Sequence, residues 1–311
     1  MPELPEVETV RRSLELRLVG KKIKGVKVYY DNIIAYPNVS DFKTLIVGQK
    51  INGMKRYGKW LMFLLDDYYL LSHLRMEGKY FFKDINEEVS KHEHVSFLLD
   101  DGVELRYHDV RKFGKMHLIK KENIYKEGPL VEMGLEPWDK KLDIIYLRDK
   151  FKNKKLPIKS VLLDQSIIVG IGNIYANEIL FLSSISPLKK ACLLNDDELS
   201  KIIDNTKKVL EKAIKSGGTT IRSYTSIDGV HGRFQHELYV HSKEGSECVN
   251  CGDIIMKIKV GGRGTYYCPS CQKFDWNLNL WYSFCRDGFY LIFDKIIILS
   301  YYVIIRGGCY V

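Results

Sequence analysis

The chain has 311 residues, a formal charge of +9, 45% hydrophobic and 28% charged residues, and seven cysteines. That length fits two domains, and the balance of charged and apolar residues excludes disorder, collagen and coiled coil as the main architecture. A pI of about 9.0 points to an acidic partner, nucleic acid before a membrane surface. Residues 274–311 hold three basic and three acidic side chains, so the whole excess lies on residues 1–273.

The opening MPELPEVETV carries prolines and carboxylates where a leader would carry basic and then apolar residues, so no signal peptide is expected and the expected compartment is the cytoplasm. A first helix is predicted over 4–18. Pro5 suits its first turn, Val7, Val10, Leu14 and Leu18 recur at helical spacing, and Gly20 is a natural stop. The period then changes to two. Val26, Val28 and Tyr30 alternate with polar residues, as do Leu61, Phe63 and Leu65 before a turn at Asp66-Asp67 and a run from Tyr68 to Leu74. Val95, Phe97 and Leu99 lead through Asp101-Gly102 to Val103, Leu105 and Tyr107, a hairpin signal. Residues 1–127 therefore read as a β-rich domain with a leading helix, a sandwich or a barrel.

Residues 128–138, with their prolines and glycines, read as a linker, and helical patterns occupy 139–235. Ile144, Leu147 and Phe151 fit one helix. Val161, Leu162 and Ile167 fit a second, ended by Gly170, and Ile174 to Leu182 fit a third. The clearest runs from Asp196 to Lys215, with Asn195 as N-cap and Glu198 three residues on as a capping box. The polar stretch from Ser223 to Gln235 reads as a mobile loop. Residues 236–273 form a separate unit around four cysteines, and 274–311 an apolar extension of unknown role. A membrane span needs roughly 17–25 apolar residues; the run LIFDKIIILSYYVII is shorter and holds Asp294 and Lys295, so membrane association is not expected.

Disulfides are rare in the cytoplasm, so the cysteines need another account. Cys248, Cys251, Cys268 and Cys271 read C-x2-C-x16-C-x2-C, the spacing of a zinc ribbon. Four thiolates fill a tetrahedral site, so one structural Zn2+ with no catalytic position is expected. Cys192, Cys285 and Cys309 have no such partners and read as ordinary thiols.

The amino terminus offers chemistry of its own. Removal of Met1 would leave Pro2 with a secondary amine. An α-amino group has a pKa of about 7.7–8.0 against about 10.4 for lysine, so roughly 10–15% of it is unprotonated at pH 7. Such an amine attacking an aldehyde carbon gives an iminium that is cationic by construction and draws electrons without further protonation. Glu3 and Glu6 stand close enough in sequence to move protons, or else they offset the dipole at a helix N-terminus.

MPELPEVETVRRSLE resembles the opening of the formamidopyrimidine-DNA glycosylases, bacterial enzymes that remove oxidised purines. Further blocks resemble the family in the family's order: RYGKWL at 56–61, SHLRMEGKY at 72–80, KHEHV at 91–95, RYHDVRKFGKM at 106–116, VGIGNIYANEIL at 169–180, SGGTTIRSY at 216–224 and GGRGTYYCPSCQK at 261–273. The resemblance covers residues 2–273. It implies an α+β protein: an N-terminal β-sandwich with a leading helix, then a helical domain with a helix–two-turn–helix motif and a zinc ribbon. It implies a monomer without small-molecule cofactor, acting on double-stranded DNA containing 8-oxoguanine or formamidopyrimidines.

Carried onto this sequence, the resemblance implies Pro2 as the Schiff-base nucleophile and Glu3 as the proton donor. Lys59 would assist β-elimination and Arg263 δ-elimination. Met76, Arg111 and Phe113 would fill the space vacated by an extruded nucleotide. His73, His92, Arg111, Lys154 and Asn173 resemble family positions that bind DNA, and Tyr224 would lie near the flipped base. Two departures are plain: the chain runs 38 residues past Lys273, and Ser160 stands where proline is common. The rivals are the endonuclease VIII branch, which takes oxidised pyrimidines and usually starts PEGPE, a DNA-binding protein that has lost its chemistry, and a zinc-ribbon RNA or translation factor. Leu4 and the Met76, Arg111 and Phe113 set resemble the purine branch.

Overall fold

A computed structural model describes residues 1–219 and 232–273. Tyr224 and the extension 274–311 lie outside the described residues. Helix α1 (Leu4–Leu18) is followed by strand β1 (Ile23–Val28), β2 (Ile34–Tyr36), helix α2 (Val39–Ile46), and strands β3 (Gly53–Tyr57), β4 (Trp60–Leu64), β5 (Tyr68–His73), β6 (Lys79–Asp84), β7 (Glu93–Leu99), β8 (Val103–His108) and β9 (Lys115–Lys120). They make one sheet of order β1-β7-β8-β6 and another of order β2-β9-β5-β4-β3.

Alternation explains how the sheets meet. Val95, Phe97 and Leu99 of β7, Leu105 and Tyr107 of β8, and Leu61 and Phe63 of β4 all enter one core with Val7, Val10, Leu14 and Leu18 of α1. The other face of β4, Trp60 and Met62, is covered by Ile119, Ile124 and Leu130, which is why that strand is buried on both sides. The hairpin at Asp101-Gly102 pairs Phe97 with Leu105. Elements β2, α2, β3, β6 and β9 were not among those expected from the sequence. Strand β2 is three residues long and pairs in parallel with distant β9, a contact no local pattern announces.

Helices α3 (Ile144–Phe151), α4 (Ile158–Leu162), α5 (Asn173–Leu182) and α6 (Asp196–Lys215) form a second core. Leu4, at the front of α1, belongs to that core rather than to the sandwich. The leading helix thus spans both. Helix α6 has the expected bounds and its Asn195–Glu198 capping box. The predicted second helix is shorter than expected: α4 ends at Leu162, because Asp164 accepts from the Ser166 N–H and hydroxyl and turns the chain. Ile168 then bridges Leu135. The segment around Glu136 is tied down, since its carboxylate takes both Arg56 guanidinium N–H groups at 2.8 and 2.9 Å. Strands β10 (Met256–Val260) and β11 (Arg263–Tyr267) form the closing hairpin. Among the described residues, no helix is long and apolar enough to cross a membrane.

Candidate active site and metal centre

The site forms where the N-termini of α1 and α5 meet. The Leu4 N–H donates to the Gly170 carbonyl at 3.1 Å. The Ile174 and Tyr175 N–H groups donate to the two Glu3 oxygens at 2.9 and 3.4 Å, so a carboxylate occupies the anion-binding end of α5. This approach needs Gly172 at the helix cap, where a Cβ would overlap the Glu3 carboxyl group.

Burial dominates the charge of Glu3 and pushes its pKa up to about 7. Lys59 and the two backbone N–H groups pull it down, and Glu6 pushes it up. At neutral pH Glu3 is therefore divided between acid and carboxylate, the condition for a proton donor. Glu6 accepts from the Glu3 N–H at 2.8 Å, the Tyr175 hydroxyl at 2.7 Å and the Thr219 N–H at 2.7 Å. Glu6 also accepts from the Thr219 hydroxyl at 3.0 Å, so it holds Thr219 by two bonds.

Pro2 is buried beside these groups, while Met1 is 45% exposed. In the Met1–Pro2 amide the nitrogen pair is delocalised into the carbonyl, so a nucleophilic amine would exist there only after Met1 leaves. Lys59, at the β3–β4 turn, is buried and donates to the Ile171 carbonyl at 2.8 Å. Burial lowers its pKa and Arg263 adds to that, against the pull of Glu3 and Glu6. Arg263 opens β11 after the Gly261-Gly262 turn and is exposed. Asn173 donates to the Gly264 carbonyl at 3.0 Å, which ties the start of α5 to that hairpin. Its own Oδ1 is buried without a partner among the described residues.

The turns after β5 and β8 present the other predicted side chains. Met76 is half-buried, while Arg111 and Phe113 are exposed, the Arg111 guanidinium carbon 4.7 Å from the centre of the Phe113 ring. An exposed phenylalanine gains nothing from the core and is available for stacking. His92 is half-buried, its ring 5.5 Å from that of His108 and its Nδ1 without a partner among the described residues. His73 closes strand β5. It is buried edge-on to Trp60, its Nδ1 accepts from the Arg75 N–H at 3.0 Å, and burial drives its pKa down to about 3. It is therefore a neutral ring. Lys154 is half-buried and pairs with Asp164 at 3.3 Å.

Sequence reasoning missed Lys159. It is fully buried on α4 and donates to Asn177 Oδ1 at 2.7 Å and Thr265 Oγ1 at 3.0 Å. Burial lowers its pKa to about 8, Glu3 opposes this, and Arg263 adds to it. The one sequence signal is a lysine set between Ile158 and Val161 in an otherwise buried segment.

Cys248, Cys251, Cys268 and Cys271 bring their sulfurs within 4.8 Å of one another, with Cys248–Cys271 at 3.8 Å and Cys251–Cys268 at 3.5 Å. A tetrahedral zinc with Zn–S bonds of about 2.3 Å needs sulfurs ~3.8 Å apart, so the site fits the ion. Among the described residues this is the one cluster of three or more such ligands. Cys248 and Cys268 pack with Phe181, Val240 and Ile255, which joins the metal centre to α5.

Comparison with known proteins agrees with this geometry. Residues 1–116 match the formamidopyrimidine-DNA glycosylase N-terminal domain, 133–225 the H2TH domain of the same enzymes, and 245–273 the zinc finger found in FPG and IleRS. The chain is 48% identical over 273 residues to a formamidopyrimidine-DNA glycosylase of Oceanobacillus iheyensis, covering 88% of this chain and 98% of that one. The fold matches Lactococcus lactis Fpg in complex with DNA containing an abasic site, with a TM-score of 0.81, 40% identity and coverage of 88% and 100%. A structure of MutM with DNA containing carbocyclic 8-oxo-G matches with the same score, identity and coverage. From its leading helix to its four-cysteine hairpin, the chain belongs to the formamidopyrimidine-DNA glycosylase family.

Proposed function

We propose that this chain is a base-excision repair enzyme, acting as a monomer in the cytoplasm on nucleoid DNA. It removes 8-oxoguanine and formamidopyrimidines from double-stranded DNA and nicks the strand by β,δ-elimination through a Pro2 Schiff base. The observation that carries this reading is Glu3: a buried acid with a pKa near 7, next to the residue whose amine Met1 removal would free.

The Pro2 nitrogen attacks C1′ of the damaged nucleotide, the C1′–N bond breaks, and its electron pair leaves with the base. The proton lost by the Pro2 nitrogen neutralises the departing base; the C1′–O4′ bond then breaks as the nitrogen lone pair forms the C=N bond, and Glu3 protonates O4′. The resulting iminium acidifies C2′–H; loss of that proton expels the 3′ phosphate, with Lys59 assisting. A second elimination expels the 5′ phosphate, with Arg263 holding it, and water releases Pro2. A lysine held below its usual pKa can accept a proton where a surface lysine cannot. Met76, Arg111 and Phe113 fill the vacated stack, and His73, His92, Lys154 and Asn173 position the DNA, with Tyr224 near the extruded base. The four cysteines hold zinc, which supplies folding of the Arg263 hairpin and takes no part in bond making.

Duplexes containing 8-oxoguanine opposite cytosine, or thymine glycol, test the reading. Incision of the 8-oxoguanine strand to a gap with phosphate at both ends is expected, at a rate well above that on thymine glycol. Preference for thymine glycol, or binding without incision, would overturn it.

A further inference from the structure

The turns that carry Met76 and Phe113 are not independent. Leu74–Gly78 closes through a Gly78 N–H to Leu74 carbonyl bond at 2.9 Å, and Asp109–Gly114 closes around a single carboxylate. Asp109 is fully buried. Its Oδ1 accepts from the Arg111 N–H at 3.0 Å, and its Oδ2 from the Phe113 and Gly114 N–H groups at 2.9 and 2.8 Å. Between those donors Lys112 is forced to φ 57°, and in the other turn Arg75 sits at φ 53°. Neither is glycine, so both turns hold conformations that ordinary residues leave when unconstrained.

Tyr107 links the two. Its hydroxyl reaches Asp109 Oδ2 at 3.4 Å and lies under both turns, so that a Cβ at either Gly78 or Gly114 would overlap it. Its ring packs on Tyr80 at 5.3 Å, whose hydroxyl donates to Ser72 on β5. One buried tyrosine–carboxylate pair therefore sets the height of both turns above the sandwich.

We propose that Asp109 and Tyr107 are positioning residues that hold the two turns as one preformed wedge. The wedge then enters the duplex without first being ordered, and its ordering cost is met in folding rather than at extrusion. The inference rests on the proposed function, since it assigns how Met76, Arg111 and Phe113 are aimed. Asp109→Asn places an NH2 group against backbone N–H donors at nearly the same volume, and Tyr107→Phe removes only the hydroxyl.

Each variant is compared with the full wild-type chain on two substrates: a duplex with paired 8-oxoguanine, and a single strand with a preformed abasic site, which has no stack to open. A 2-aminopurine beside the lesion reports unstacking by its emission. Asp109→Asn is expected to lower kcat on the paired lesion about 10- to 100-fold and to reduce the 2-aminopurine rise. Cleavage of the single-stranded abasic site should stay within about twofold of the wild type, a limit set well below that loss. Tyr107→Phe should move the same two readouts in the same direction by less. Equal loss on both substrates would mean general structural damage and would overturn the inference, as would full activity on the paired lesion. Failure of the wild type to cleave either substrate would instead overturn the proposed function.

Discussion

Glu3 is asked to be buried and acidic at once, and the structure meets both demands by setting burial against two helix N–H groups and Lys59. The sign of the pH effect follows. Native Glu3, near 7, binds a proton more tightly than an unfolded glutamate at 4.5. Its contribution to stability is therefore fully present below 4.5 and is lost as pH rises through 7, by roughly 3 kcal/mol for a shift of that size. Denaturant unfolding at pH 5 and pH 8 should show Glu3→Gln losing less stability than the wild type over this interval. Base excision by the wild type should fall as pH rises past 7, whereas Glu3→Gln should lack that limb. Identical pH dependence of the two proteins would contradict the assignment. At this scale the four cysteines were legible because their spacing marks them, whereas the roles proposed for Pro2 and Glu3 rest on the family resemblance. Lys159 was not legible, because its burial exists only where α4, α5 and β11 come together.

At the scale of elements, the hairpin β10–β11 joins the metal centre to the catalytic face. Cys268 closes its base, Arg263 stands at its tip, and Thr265 between them receives Lys159. Four-thiolate zinc sites supply folding free energy directly, so losing a ligand loses the hairpin. Cys268→Ser should abolish binding to lesion-containing duplex in a mobility-shift titration while the far-UV signal of the sandwich persists; full binding by the zinc-free variant would refute this coupling. Helix α6 and the Asp101-Gly102 hairpin could be read from sequence because caps and turn residues are local signals. Strand β2 and the early end of α4 could not. One depends on a partner some eighty residues away, the other on an aspartate side chain competing for backbone donors.

Over the whole molecule, the +9 charge lies on the first 273 residues, the span shared with the family. Contacts to phosphate should dominate affinity. With ~5 of them, log K against log salt should have a slope near −4 to −5, and a slope near zero would show that the assigned basic residues do not touch DNA. The two-core architecture was legible from the change of hydrophobic period after Gly20 and again after the Glu127–Asp139 segment. That α1 would anchor one end in each core was not, since Leu4 and Val7 look alike in a helical stripe.

Every proposed step from base loss to strand scission passes through one bond, between the imino nitrogen of Pro2 and a deoxyribose carbon. Borohydride reduction during turnover on 8-oxoguanine duplex, followed by protease digestion and mass spectrometry, tests it most directly. A nucleotide adduct is expected on an N-terminal peptide that begins at Pro2. An adduct on an internal lysine, or strand cleavage by protein that still carries Met1, would contradict it.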